Sequence, residues 1–333
     1  MDTTSLLSHI ELELQKQVAR LDQPLTQPFH EILTYHMGWT GEGAGPEATG
    51  KRIRPLLVLL TTAACGTEWK AALPAAAAIE LVHNFSLLHD DIQDNSLKRR
   101  GRDTAWVKWG MPLAINAGDA LFMISNEAML DLIQLYPAQT VVQATTILND
   151  TCLDLTRGQF LDISYEERFD LTLDDYWPMI SGKTAALLAA CCHIGALLGG
   201  ADQAKQQAYK SFGHDLGLAF QVQDDILGIW GDEVMTGKST ASDLVEGKNS
   251  LPILYGVSQN GKFAARWKQG PISIREVSEI AEELRREGGY DYAQSQAEYW
   301  TESALKNLRG AKPQGEAGNT LLELANKLLN RKQ

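Results

Sequence analysis

The sequence predicts an all-α fold in a single domain spanning 1–333, and three observations predict it. With 333 residues, 44% of them hydrophobic, the chain can bury a sizeable core. Helix-favouring segments dominate, and few stretches alternate apolar and polar residues at period two, so strands are not expected. The clear loops are Gly38–Gly50 (GWTGEGAGPEATG) and Gly228–Ser250 (GIWGDEVMTGKSTASDLVEGKNS), and neither has the length or composition of an interdomain linker.

Taken in order, the first thirty residues carry Glu11, Glu13, Lys16 and Arg20 at short intervals, so no signal-peptide apolar region fits. Ala71–Leu88 is rich in Ala and Leu, with Pro74 where a first helical turn tolerates it. Thr172 and Asp175 form the pattern of a capping box opening a segment that runs to Leu188. The most membrane-like stretch, Thr184–Ala201, follows Lys183 and contains His193 and three glycines. It reads as a buried core helix, and no transmembrane segment is expected.

Bulk chemistry narrows the function classes. A net charge of −12 excludes an unassisted electrostatic grip on nucleic acid or anionic lipid. Anionic substrates remain open if metal ions bridge the like charges. The four cysteines (Cys65, Cys152, Cys191, Cys192) contain no CxxC, and adjacent cysteines seldom pair, so neither a zinc site nor a disulfide framework is indicated. The chain reads as cytoplasmic.

Two acidic clusters carry the chemistry. In Asp90-Asp91-Ile92-Gln93-Asp94, positions i and i+4 share a helix face, so Asp90 and Asp94 can aim at one point. Carboxylates so placed repel unless a cation sits between them, and magnesium takes hard oxygen ligands that it shares with substrate phosphates. A charge run is more often a solvated face. Here Leu81, Val82, Phe85, Leu87 and Leu88 precede the cluster, as Leu216, Leu218, Ala219, Phe220 and Val222 precede a second pair, Asp224-Asp225. Two such helices facing each other would hold several divalent ions in a bundle core. Basic groups supply the counterpart: Lys51, Arg52 and Arg54 end the first loop, and Lys98, Arg99, Arg100 and Arg102 follow the first acidic cluster. Arginine forks onto phosphate oxygens and lysine acts as a point charge.

These residues resemble the trans-prenyl diphosphate synthase family from about Gly50 to about Pro252. The resemblance rests on GKRIRP (50–55), ELVHNFSLLHDDIQD (80–94), RRG (99–101), GKT (182–184), FQVQDD (220–225), and Lys238 and Lys248 in the following loop. It implies an isoprenoid synthase bundle of roughly ten or more helices around a central apolar cavity, most like short-chain geranylgeranyl diphosphate synthases. Carried over by position, Lys51, Arg54, His83 and Arg100 would grip isopentenyl diphosphate. Arg99, Lys183, Thr184, Gln221, Lys238 and Lys248 would contact the allylic diphosphate or the cation it leaves. Asp90, Asp94 and Asp224 would be the main magnesium ligands, supported by Asp91 and Asp225, with roughly three Mg2+ ions per site. One departure stands out: Gly228 stands where the family's second motif usually has a third acid, and Asp232 cannot be assumed to replace it.

The implied chemistry is ionisation of the allylic diphosphate, attack by the isopentenyl double bond, and proton loss to the released diphosphate, in a cavity closed to water. Loop 228–250 would be its lid. A class I terpene cyclase shares DDxxD, but its second metal motif fails at Asn149-Asp150, where Leu153 and Arg157 stand at the required positions. A non-catalytic partner of a heteromeric synthase would be expected to lose site residues that are present here. The product is read from Phe85 and Ser86, five and four residues before Asp90: one large and one small side chain look most like a geranylgeranyl product, with farnesyl or longer products as alternatives. Family members are commonly homodimers.

Overall fold

The computed structural model describes residues 1–166, 168, 170–231 and 241–329. The all-α expectation holds: the described residues are helical apart from turns, loops and one antiparallel pair, Lys98–Arg99 with Arg102–Asp103. Arg100 (φ 51°) and Gly101 (φ 76°) join those two short strands, and positive φ at both central residues is what a type I′ hairpin turn requires. The pair was invisible to a period-two search because each strand is two residues long.

The chain forms two compact units. The first comprises Met1–Asn149, Cys191–Gln206 and Pro313–Leu321. Its centre is the helix Leu73–Gln93, with Pro74 in the first turn as the sequence suggests. Ala75 to Val82 are buried without interruption, so this helix is apolar all round and packs on both Ile53–Ala64 and Met111–Leu130. Burying Ile79, Leu81, Val82 and Leu88 contributes about 1.5–3 kcal/mol per side chain.

A buried cation ties this unit together. Arg52 donates to Glu11 (2.6 Å), Glu80 (2.9 Å) and the Met37 carbonyl (3.2 Å), linking the first loop to two helices. Arg102 pins the Gly38–Gly50 loop by donating to the carbonyls of Tyr35, Thr40 and Glu42.

The second unit comprises Asp150–Ala190, Gln207–Lys312 and the chain from Leu322 on. Thr172 and Asp175 close the expected capping box at the start of Leu173–Ile180. Pro178 lies inside that helix, and Ser181–Ala185 continues it as a π-helical turn before Ala186–Leu198. Gly158 and Gly182 face each other there: a Cβ on Gly158 would meet the Lys183 amide nitrogen at 2.1 Å, so only bare backbone allows this approach. Along Thr184–Ala201 the side chains are mostly buried, as a core helix requires. Two helical stretches, Trp69–Gln93 and Leu173–Leu198, are apolar and long enough to cross a membrane, yet 67% and 72% of their most apolar windows are buried inside the fold.

The second loop needs correction. Gln203–Trp230 runs through Gly228, and Ser242–Glu246 is helical too. Burial of Ile226 and Ile229 outweighs the ~1 kcal/mol that a helical glycine costs. Asp232, Lys238 and most of the expected lid lie outside the described residues.

Candidate active site

In the first unit, the two basic motifs converge. Arg54 donates through Nη1 to His83 Nε2 at 3.2 Å, and its Nε is buried without a partner. Burial, then Arg54 and Arg100, drive the His83 pKa well below its usual value, so the imidazole is neutral and accepts. Arg100 donates to the Ala48 carbonyl at 2.8 Å and lies across Gly50, where a Cβ would meet its Cζ at 2.6 Å. Gly50 also sits at φ 78°, so both the backbone and the neighbour demand glycine. Burial and the charges of Arg52, Arg99 and Arg54 lower the Arg100 pKa. Arg54 and Arg100 therefore have neutral partners, and among the described residues neither forms an ion pair. Cations crowded in this way attract a polyanion. Lys51 is exposed beside them.

The first acidic cluster divides by face. Asp91 is buried, with Oδ1 held by Arg99 at 2.8 Å and Oδ2 unpaired. Burial raises its pKa against the pull of Arg99. Arg99, expected to contact the allylic diphosphate, is thus engaged by Asp91. Asp90 is half-buried and Asp94 exposed, both at the end of their helix. His36 lies nearby, in a cleft shared with Asn84, Leu87, Asp91, Arg99 and Arg100. Burial, then Arg99 and Arg100, lower its pKa to about 3.

In the second unit, Asp225 is buried and hydrogen-bonded through both oxygens. Its Oδ1 accepts from Gln221 Nε2 (2.9 Å), and its Oδ2 accepts from the Tyr176 hydroxyl (2.7 Å) and the Leu251 amide (2.9 Å). Burial and then Asp243 raise its pKa to about 7, against those hydrogen bonds. Thr184 donates to Gln221 Oε1 at 2.8 Å, so Thr184, Gln221 and Asp225 form one relay. Lys183, on the π turn, pairs with Asp162. Lys248 pairs with Glu246 at 2.9 Å.

The donor set fits a divalent ion that shares its coordination. Among the described residues no three His, Cys, Asp or Glu side chains form a complete cage, and magnesium usually takes one or two carboxylates plus phosphate oxygens. Asp225 has given most of its acceptor capacity to protein donors. Its neighbour Asp224 is half-buried, as is Asp90 in the first unit, and Asp94 is exposed.

Phe85 packs on Phe122 (5.0 Å between centroids) and His89 (5.3 Å), while the Ser86 hydroxyl donates to the His83 carbonyl. Sequence reasoning missed His36, Asp162 and Tyr176, and it counted Arg52 with the phosphate-facing bases although that charge is met by Glu11 and Glu80. Only Arg52 stood inside a motif, and its two acids come from elsewhere in the chain.

A helical fold carrying arginines without an acidic partner and carboxylates at helix ends fits a diphosphate-handling prenyltransferase. The family description "Polyprenyl synthetase" matches residues 45–284, and the chain belongs to that family. It is 38% identical to a geranylgeranyl diphosphate synthase of Mycobacterium tuberculosis, over 92% of this chain and 89% of that one. It is 38% identical to a (2E,6E)-farnesyl diphosphate synthase of Mycobacterium bovis, over 85% and 80%. The crystal structure of a polyprenyl synthetase from Streptomyces coelicolor A3(2) superposes with a TM-score of 0.87 at 34% identity, covering 98% of this chain and 99% of that one.

Proposed function

We propose that this enzyme condenses isopentenyl diphosphate with an allylic diphosphate in a magnesium-dependent reaction, and that its product is geranylgeranyl diphosphate. One observation carries the reading: Arg54 and Arg100 are held by the neutral His83 and the Ala48 carbonyl, which leaves their charge for a diphosphate. Arg54, Arg100, Lys51 and His83 bind isopentenyl diphosphate. Lys183, Thr184, Gln221, Lys238 and Lys248 orient the allylic diphosphate.

Asp90, Asp94 and Asp224 would hold magnesium, roughly three ions per site, which supplies Lewis-acid neutralisation of the leaving diphosphate. Asp91 aims Arg99 toward the same substrate. Asp225 fixes Gln221, and through it Thr184. Because Lys183 is already matched by Asp162, it must be drawn away when a phosphate arrives. Apolar side chains keep water from the carbocation.

The two Mycobacterium relatives make different products, so product length rests on local bulk. Phe85 and Phe122 packed together would block the path of the growing chain. The reading includes a cytoplasmic homodimer. Met111, Leu113, Ile115, Met123 and Leu130 are exposed along Met111–Leu130, and a second copy would cover them.

The test is incubation of the purified enzyme with labelled isopentenyl diphosphate and, separately, dimethylallyl, geranyl or farnesyl diphosphate. Magnesium-dependent formation of a twenty-carbon product is expected. No condensation with any primer would overturn the reading, and a fifteen-carbon end product would overturn its product assignment.

A further inference from the structure

The π turn Ser181–Ala185, which carries Lys183, is fastened on two sides. Toward the helix Ala138–Tyr165, a Cβ on Gly182 would meet the Asp154 carbonyl oxygen at 2.6 Å, so the two backbones touch. Toward Gln203–Trp230, Gly217 plays the same part: a Cβ there would meet Ala185 Cα at 2.5 Å. A hydrogen bond stands on either side of Gly217 along that helix. Thr184 donates to Gln221 Oε1 at 2.8 Å, and Ser181 Oγ lies 3.0 Å from His214 Nε2. His214, Gly217 and Gln221 fall at i, i+3 and i+7, which is one face of a helix.

His214 is itself held. Its Nδ1 lies 3.2 Å from Oδ1 of the buried Asp215, whose Oδ2 accepts from Ser303 Oγ (2.6 Å) and Asn307 Nδ2 (2.8 Å). A carboxylate only accepts, so Nδ1 donates to Asp215 and Nε2 is left to accept from the Ser181 hydroxyl. A chain of hydrogen bonds thus runs from Gly289–Ala311 through Gln203–Trp230 to the first residue of the π turn. We infer that His214 is a positioning residue for Lys183, acting through Ser181. The inference rests on the proposed role of Lys183 with the allylic diphosphate. A π turn is rare and often marks a functional site. With Ser181 released, Thr184 alone would tie the side chains of this turn to Gln203–Trp230, and Lys183 would sample more than one direction. Asp215 acts one step further back, by fixing the tautomer and ring orientation of His214.

Steady-state kinetics with labelled isopentenyl diphosphate and geranyl diphosphate test it. His214→Ala is expected to raise KM for geranyl diphosphate about 2–10-fold, as loss of one neutral hydrogen bond does, with KM for isopentenyl diphosphate unchanged. Ser181→Ala removes the other end of the same bond, so it should give the same shift, and the double variant should add nothing further. His214→Gln keeps an acceptor on a side chain of similar reach and should restore most of the affinity. An unchanged KM for geranyl diphosphate in His214→Ala would overturn the inference, as would an equal rise in both KM values or additive effects in the double variant. If His214→Ala does not fold, the same two-substrate comparison on Ser181→Ala decides alone. Failure of the underlying reading is distinct: Lys183→Ala would then keep the wild-type KM for geranyl diphosphate.

Discussion

The basic cluster of the first unit and the acidic relay of the second hold charge in opposite ways. Arg54 and Arg100 rest on neutral acceptors and keep their charge unspent. Asp225 accepts three hydrogen bonds from the protein, so most of its acceptor capacity is used inside the fold. One region is organised to receive an anion, the other to aim its neighbours. Burial alone does not distinguish them, because both contain buried ionisable groups. The identity of the partner does: a charge met by neutral dipoles remains available, and a charge met by several donors becomes scaffold.

The largest effect that could break this contrast is expected at the outward carboxylates. Asp90→Asn should cost roughly 3–4 kcal/mol of transition-state stabilisation, by analogy with loss of an oxyanion donor, and so lower kcat by orders of magnitude. Asp225→Asn should mainly lower the melting temperature, because with its oxygen kept on the Tyr176 and Leu251 donors its NH2 would face the Gln221 Nε2 donor. Steady-state kinetics beside thermal melts would check both. Full activity of Asp90→Asn with undiminished magnesium dependence would remove Asp90 from the metal set.

Next come the cations. Arg100→Ala should raise KM for isopentenyl diphosphate about 10–100-fold, equivalent to losing about 1.5–3 kcal/mol of charge-assisted hydrogen bonding. Lys183→Ala should act mainly on the allylic substrate, and less strongly, because Lys183 already has Asp162 as a partner. Equal effects of both variants on both substrates would erase the difference between an unspent cation and a matched one.

Acid should weaken the basic region. His36 is neutral in the fold, with its pKa lowered to about 3, and takes up a proton near 6.5 once unfolded. Its folded value lies below its unfolded one, so its contribution is complete above pH 6.5 and is lost as pH falls toward 3. At pH 5.5 the loss is about 1.4 kcal/mol. Chemical denaturation at pH 7.5 and 5.5 would measure it, and His36→Gln should flatten the dependence. An unchanged slope in that variant would assign the acid sensitivity to other groups, His83 first.

The smallest energetic effect concerns product length. Phe85→Ala removes one ring of the Phe85–Phe122 pair and should shift products beyond twenty carbons, and Ser86→Phe should shorten them. Product sizing with farnesyl diphosphate and excess isopentenyl diphosphate is the measurement. If Phe85→Ala leaves the product unchanged, Phe122→Ala tests whether the second ring suffices.

Much of this was legible from residue order. The helical class follows from long Ala- and Leu-rich segments, and Pro74 and the Thr172–Asp175 box fall where local chemistry puts them. The convergence of Arg54 with His83, and of Arg100 with Gly50, matches motifs recognisable in the chain. What escaped depends on partners distant in sequence. Nothing in Lys51-Arg52-Ile53-Arg54 reveals that Arg52 is spent on Glu11 and Glu80 while Arg54 is not. Asp162 and Tyr176 sit in unremarkable helical contexts, and only the fold brings them to Lys183 and Asp225. The second loop was opened too early because Gly228 reads as a breaker, whereas the burial of Ile226 and Ile229 carries the helix past it.

The π turn at Ser181–Ala185 sets a length constraint as well as a shape. It accommodates one more residue than an α-turn, and each residue rotates a helix by about 100°. Deleting one residue of the turn would let it relax into plain α-helix with both flanks kept in phase, so Leu187 and Leu188 as well as Tyr176 and Met179 would stay in the core. A deletion in the α-helix on either side has no such slack and would swing one flank by that angle. A deletion scan across 178–188, read by soluble yield, should therefore show single deletions tolerated best within this turn.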